Sequence, residues 1–311
     1  MTQPVVYVAL SQFCEQDEKP RKILQDAGFI LKENKTGKRL KKEELIEVLQ
    51  GVDAVLAGVE PYDVDLFSKL PNLKLISRLG AGLDSVDLEA AGRHDIRVMA
   101  TPDEVVEPVA QMTLAMMLAL IRCFPVFGGD FQKGLWKKQT GFLLSELHVG
   151  LIGFGRIARR VYDYLKPFGC PVRVFDPFVK ADDLPQGVLG CDLESLLALS
   201  DIVSLHLNRP AKEGPLLGAC EFAKMKRGSF LVNTARGHFL DETALQEVLA
   251  GGHLAGAALD VFAEEPCNGP LTRLSNVLST PHVATLTRGS RIAMEIRCAQ
   301  NVVDYFSNKH R

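Results

Sequence analysis

Three segments in the second half of the chain each place an ionisable side chain at the C-terminal end of an apolar run. Leu231-Val232-Asn233-Thr234-Ala235-Arg236-Gly237 supplies a guanidinium, Leu259-Asp260-Val261-Phe262-Ala263-Glu264-Glu265-Pro266 a carboxylate, and Ser279-Thr280-Pro281-His282-Val283 an imidazole. If those runs are parallel strands, this edge is where open α/β sheets bind ligands. Arginine's planar fork suits a carboxylate and polarises a carbonyl beside it. Histidine titrates near neutrality and so exchanges a hydroxyl proton, while a carboxylate next to it orients the ring and stabilises its charged form. Each residue alone also has an ordinary reading: Arg236 as a helix-entry salt bridge, Glu265 as a solvated residue before proline, and His282 as a capped loop histidine.

The elements that must position this trio centre on Leu147 to Val161, an apolar strand running into a glycine turn and then a helix. Its core, Gly153-x-Gly155-x-x-Ala158, is a dinucleotide fingerprint with alanine for the third glycine. Gly153 permits the tight turn, Gly155 leaves room for a pyrophosphate, and Ala158 lets helix and strand pack closely; the diphosphate then meets free N–H groups at a helix start. A second strand, Pro171 to Phe175, ends in Asp176, where the fingerprint expects an acid for the ribose 2′-hydroxyl. An acid there repels a 2′-phosphate, so NAD is favoured over NADP, with Arg173 and Lys180 as nearby complications. Given a dinucleotide, a cation, a carboxylate and an imidazole together suit hydride transfer between NAD and a 2-hydroxy acid.

Strand-like and helical patterns alternate through the first hundred or so residues and again from residue 147 to 281, where six strands are expected; this means parallel sheets covered on both faces. The expected fold is therefore α/β, with two doubly wound domains. One comprises residues 1–100 and 284–311, because the last helix, about Thr287 to Phe306, returns to it; the other is residues 101–283. In the first, Arg78-Leu79-Gly80-Ala81-Gly82 follows a strand and reads either as a plain tight turn or as an anion nest of backbone N–H groups. Glu104 to Ile121 forms a helix apolar nearly all round, and Phe124 to Gly141, with the single tryptophan, reads as a connector and interface arm.

A net charge of −2 gives no electrostatic footprint for nucleic acid or an anionic membrane. Seven scattered cysteines without a C-x-x-C, and no signal peptide, read as reduced thiols of a cytoplasmic protein. The histidines show no metal spacing, so no metal is expected.

Most of the chain resembles the D-isomer-specific 2-hydroxyacid dehydrogenases. The likeness rests on Gly80-Ala81-Gly82-Leu83-Asp84-Ser85-Val86-Asp87, Val149 to Ala158, Asp176-Pro177, Met225 to Gly228, Asn233 to Gly237, Gly256 to Phe262, Glu265-Pro266 and Thr280-Pro281-His282. It implies a Rossmann NAD-binding domain inserted into a flavodoxin-like substrate-binding domain, and an NAD-dependent reductase of small 2-keto acids. Arg236, Glu265 and His282 would be catalytic. Ala81 and Gly82, with Arg78 and Arg236, would hold the substrate; Arg156 and Ile157 would meet the pyrophosphate, and Thr234 and Asp260 would lie near the nicotinamide. A homodimer through the helix from Glu104 and its arm is also implied. Alternatives are a 3-phosphoglycerate-type dehydrogenase, which Arg78 would favour as a second cation, and a non-catalytic NAD(H)-sensing interaction protein on the same fold. Two departures from the family pattern are Gln111 where Glu is usual and Asn208 where Pro is usual.

Overall fold

The computed structural model describes residues 3–207 and 214–308, so Asn208 lies outside the described residues. The chain divides into two compact units, Met1–Val105 with Leu286–Arg311, and Val106–Thr285. The first unit begins with β1 (Val5–Val8), α1 (Lys19–Asp26), β2 (Ile30–Glu33), α2 (Lys42–Val48), β3 (Ala54–Ala57), α3 (Val64–Ser68), β4 (Leu75–Arg78), α4 (Leu88–Arg93) and β5 (Arg97–Met99). The second contains α5 (Val106–Ile121), α6 (Phe124–Gln132), β6 (Val149–Ile152), α7 (Arg156–Leu165), β7 (Val172–Phe175), β8 (Val188–Gly190), α8 (Leu193–Leu199), β9 (Ile202–Leu205), α9 (Ala219–Lys224), β10 (Phe230–Asn233), α10 (Glu242–Ala250), β11 (Gly256–Leu259) and β12 (Val277–Ser279). Helix α11 (Arg288–Asn308) then completes the first unit.

Both sheets are parallel. The first has strand order β2-β1-β3-β4-β5 and the second β12-β11-β10-β9-β6-β7-β8. The order therefore reverses between β1 and β3 in one sheet and between β6 and β9 in the other, the flavodoxin-like and Rossmann switch points outside whose strand ends ligands bind. Central strands are short apolar runs buried at every residue, as in β3 (AVLA), β6 (VGLI) and β11 (GAAL), because helices cover both faces. The edge strand β2 instead alternates exposed and half-buried residues. Helix starts are set by aspartates: Asp63, Asp87, Asp192 and Asp241 each accept a backbone N–H from the first turn of α3, α4, α8 and α10.

In α7, Ala158, Val161, Tyr162 and Leu165 recur at spacings of three and four, so one stripe packs into the core while the arginines face outward. In the first unit, α11 is tied to β4 through buried polar groups. Ser77 Oγ donates to the Cys298 carbonyl at 3.0 Å, and Asn301 Nδ2 donates to Ser77 Oγ and to the Ala100 carbonyl, each at 3.3 Å. Burial pushes the Cys298 thiol up to about 12, so it stays a neutral packing group.

The second sheet has seven strands where the sequence pattern gives six. The additional β8 is a three-residue edge strand with two exposed residues, too short and too polar in its surroundings to show a period. The segment read as a connector contains α6, a helix with no buried residue that leaves Phe124 and Phe131 exposed; Trp136, just beyond it, is exposed too. Among the described residues no single helix is long and apolar enough to cross a membrane, and the apolar helices α5 and α6 are bent by 63° against each other.

Candidate active site

Arg236, Glu265 and His282 all follow C-terminal strand ends of the second sheet, after the adjacent strands β10, β11 and β12. Asn233, the fully buried last residue of β10, builds the first turn: its side chain donates to the Arg236 carbonyl at 2.8 Å and accepts the Ala235 N–H at 3.0 Å. The Arg236 guanidinium donates back to the Ala235 carbonyl at 2.7 Å. Only glycine fits next, because a Cβ on Gly237 would collide with the Phe262 carbonyl group and the Ala263 nitrogen. This close approach sets the turn carrying Arg236 directly against the turn carrying Glu265.

Asp260, fully buried, organises the other two turns. Its carboxylate accepts Thr280 Oγ1 at 2.6 Å and the N–H groups of Val283 and Ala284 at 2.8 and 3.0 Å, while its carbonyl accepts the His282 N–H at 2.8 Å. These bonds hold His282 at φ +53°, a left-handed conformation that costs a non-glycine residue roughly 1 kcal/mol. The ring thus presented brings Nδ1 to 2.8 Å from Glu265 Oε2, and Glu265 Oε1 accepts the Phe262 N–H at 3.1 Å. Glu265 is thereby fixed at one oxygen by backbone and at the other by imidazole, which leaves Nε2 as the ring's second proton-exchanging atom.

At the switch point of the same sheet, Gly153 stands at φ +88°, and a Cβ there would come within 2.7 Å of the His206 carbonyl oxygen. A Cβ on Gly155 would meet nothing within 4 Å, and Gly155 caps α7 without any side-chain bond. The helix start therefore keeps open space and has no side-chain cap where the aspartate-capped helices have one, which fits a diphosphate. Both oxygens of Asp176 are engaged by the turn, Oδ2 with the Phe154 N–H at 2.7 Å and Oδ1 with the Phe178 N–H at 2.9 Å. Arg156 opens α7 on the exposed side and Ile157 packs partly against the core. Thr234 shares a 2.8 Å hydroxyl–hydroxyl bond with Thr113 of α5. Burial lowers the His206 imidazole to about 3, and its Nε2 has no hydrogen-bond partner among the described residues.

In the first unit, the segment after β4 also forms a glycine turn. Gly80 has φ +122° and donates its N–H to Thr101 Oγ1 at 2.7 Å, while the N–H groups of Ala81 and Gly82 meet no acceptor among the described residues. Arg78 lies over this turn, its Nη1 occupying the space that a Cβ on Gly80 would need.

Residues 114–284, more than half of the chain, match the family described as D-isomer specific 2-hydroxyacid dehydrogenase, NAD binding domain. The chain belongs to the D-isomer specific 2-hydroxyacid dehydrogenase family. It is 36% identical over 278 residues to the D-3-phosphoglycerate dehydrogenase of Archaeoglobus fulgidus, covering 88% of this chain and 52% of that protein. With the Methanocaldococcus jannaschii D-3-phosphoglycerate dehydrogenase it shares 36% over 301 residues, 91% of this chain and 57% of the other. The chain thus spans about half the length of the curated relatives it matches. Among solved structures, a protein from Thermus thermophilus superposes with a TM-score of 0.88 at 32% identity over 98% of this chain and 97% of its own. A D-lactate dehydrogenase from Aquifex aeolicus, solved with NAD and lactic acid, gives 0.84 at 26% identity over 98% and 96%.

The structure thus brings His282 and Glu265 into contact and sets the Arg236 turn against the turn that carries Glu265. Gln111, the departure on α5, is exposed and donates to Glu107 at 2.7 Å. Glu107 also binds Arg160 and Tyr164, and these bonds hold its carboxyl down at about 2. Asn233, in the first turn, and Glu60, in the first unit, are residues that sequence reasoning did not single out. An asparagine ending an apolar strand three residues before an arginine was the available signal for the first. Among the described residues no group of three or more His, Cys, Asp or Glu side chains could hold a metal ion.

Proposed function

We propose that this chain is an NAD-dependent reductase of small 2-keto acids, or in reverse a D-2-hydroxyacid dehydrogenase. The carrying observation is the 2.8 Å contact between His282 Nδ1 and Glu265 Oε2, on turns fixed by buried Asp260 and interlocked with the Arg236 turn. When bound, NAD supplies or accepts the hydride at its nicotinamide ring. Gly153, Gly155, Arg156 and Ile157 hold its pyrophosphate, Asp176 its adenosine ribose, and Thr234 and Asp260 line the nicotinamide end. Arg236 binds the substrate carboxylate and polarises the carbonyl, the Ala81 and Gly82 amides hold carboxylate oxygens, and His282 Nε2 gives a proton to the carbonyl oxygen as Glu265 stabilises the imidazolium.

The names of the relatives favour a second reading of the substrate, 3-phosphohydroxypyruvate, with Arg78 on its phosphate. The exposed aromatic residues of α6 and the segment after it, Phe124, Phe131 and Trp136, support a homodimer through α5, α6 and the following arm. The cysteines are all free, which suits a reducing, cytoplasmic location. A steady-state assay of a 2-keto acid panel with NADH tests the activity. Turnover of at least one member is expected, whereas binding of NADH without any turnover favours the NAD(H)-sensing alternative.

A further inference from the structure

The loop after β3, Gly58 to Tyr62, stands at the switch point of the first sheet and is joined to the glycine turn after β4. Ala57 pairs with Arg78 in register, and Leu79 donates to the Ala57 carbonyl at 2.9 Å. Tyr62 donates to the Ser85 carbonyl, and Asp87 to the Tyr62 carbonyl, each at 2.8 Å. The loop and the Gly80-Ala81-Gly82 turn therefore form one fixed surface about a strand spacing wide, roughly 5 Å.

Glu60 lies inside that surface. It is 2% exposed, and its Oε2 accepts the Gly58 N–H at 2.9 Å. A Cβ on Gly58 would come within 3.0 and 3.1 Å of its two oxygens, so glycine is what lets the carboxylate fold back against the strand end. Two guanidinium groups bear on it: Arg39, whose fork binds the Val59 carbonyl from the solvent side, and Arg78, which lies over Gly80. Burial raises the Glu60 carboxyl, and the backbone N–H bonds and both arginines oppose that rise. Tyr62 beneath the loop is fully buried and its hydroxyl is held protonated by burial, so it adds no charge. A sequence reading takes a glutamate before proline in a loop for a solvated residue, and this one is not.

We propose that Glu60 is the specificity-determining residue of this surface, placing a fixed negative charge beside Arg78 so that the site favours 2-keto acids with one anionic group over those with a second. The proposal rests on the reading that the Ala81 and Gly82 amides hold the substrate carboxylate. A substituent on a keto acid held there reaches only a few ångströms further, so a terminal phosphate or carboxylate comes under the opposed charges of Arg78, which lies over Gly80, and of Glu60 in the adjoining loop. With Glu60 present, Arg78's attraction for a second anion is opposed at close range in a dry setting, where charges act strongly. Discrimination comes from the repulsive partner as much as from the attractive one.

The test uses a matched pair, hydroxypyruvate and 3-phosphohydroxypyruvate, with NADH and wild-type, Glu60→Gln, Glu60→Asp and Glu60→Gln/Arg78→Gln proteins. The readout is the ratio of kcat/KM for the phosphorylated over the plain keto acid, with thermal unfolding and NADH affinity checking each variant's integrity. Wild type should favour the plain substrate. Glu60→Gln should raise the ratio tenfold or more, Glu60→Asp, which keeps the charge, should stay near wild type, and the double variant should fall back because the released cation is gone. A ratio unmoved in Glu60→Gln, in a protein that reduces both compounds, overturns this inference alone, as does a wild type that favours the phosphorylated substrate. A wild type that reduces neither compound overturns this inference, and one that reduces no member of the wider 2-keto acid panel overturns the proposed function with it.

Discussion

The turn after β4 and the turn after β6 are built on one plan. Each leaves a buried parallel strand, bends at a glycine of positive φ (Gly80 at +122°, Gly153 at +88°), and leads towards a helix. What flanks them differs in sign. The first carries the Arg78 guanidinium on its glycine and two backbone N–H groups without acceptors among the described residues, which suits a small anion. The second is braced by the Asp176 carboxylate and opens onto the uncapped start of α7, which suits a diphosphate at the helix end and a neutral hydroxyl at the acid. One backbone device thus suits two ligands, and the neighbouring charge chooses between them.

The largest expected effect lies on neither turn. His282→Ala should lower kcat by about 10²–10⁴, the usual worth of a positioned acid or base, with NADH affinity held within about twofold. A kcat near wild type in single-turnover measurements removes His282 from the role. The turns themselves are separated by a paired substitution. Gly153→Ala forces a Cβ against the His206 carbonyl at left-handed φ, so the NADH Kd should rise tenfold or more and Tm should fall. Gly80→Ala meets only the movable end of Arg78 but keeps the φ penalty, so it should raise the keto acid KM and spare NADH. If both variants weaken both ligands alike by calorimetry, the division of labour fails.

Asp176 gives a smaller effect. NADH should be preferred over NADPH by about tenfold or more, at least ~1.4 kcal/mol, and Asp176→Ala should narrow the gap. Because Asp176 also accepts the Phe154 N–H, the variant should lose some NADH affinity as well as gain NADPH use; an unchanged ratio of the two kcat/KM values contradicts the assignment. An effect of similar size concerns acid stability. His206 is lowered from its ordinary value to about 3, so the unfolded chain binds the proton first as pH falls below about 6.5. Its contribution is whole above that pH and is lost on acidification towards 3, at no more than about 1.4 kcal/mol per pH unit. Denaturant unfolding from pH 7 to 5 should show a shallower loss for His206→Gln than for wild type.

The glycine turn after β6 was legible in the sequence because its glycines, helix and acid lie within one βαβ unit, where local spacing reports geometry. The three candidate catalytic residues were readable as strand-end residues, but the His282–Glu265 contact joins positions 17 apart and follows from the bonds that Asp260 makes to Thr280, Val283 and Ala284. Nothing about Asp260 in the sequence shows that its carboxylate is taken up by that turn. β8 stayed hidden because three residues at a sheet edge bury too little to leave a pattern. Glu60 stayed hidden because its burial depends on Gly58 and on a neighbouring strand, not on its own segment.

The bonds from α11 to Ser77 and Ala100 have a consequence for how the chain is made. The first unit contains the residues synthesised first, yet the helix that seals β4 is separated from them by the whole of the second unit. At roughly 5–20 residues per second the intervening segment takes roughly 10 to 40 s to emerge. By the end of that interval the second unit has every strand it needs, while the first still holds Ser77 uncovered and its sheet half-clothed. The part begun first is thus finished last. Protease added to ribosome-bound chains stalled before α11 has emerged should cut the early residues and spare the later ones.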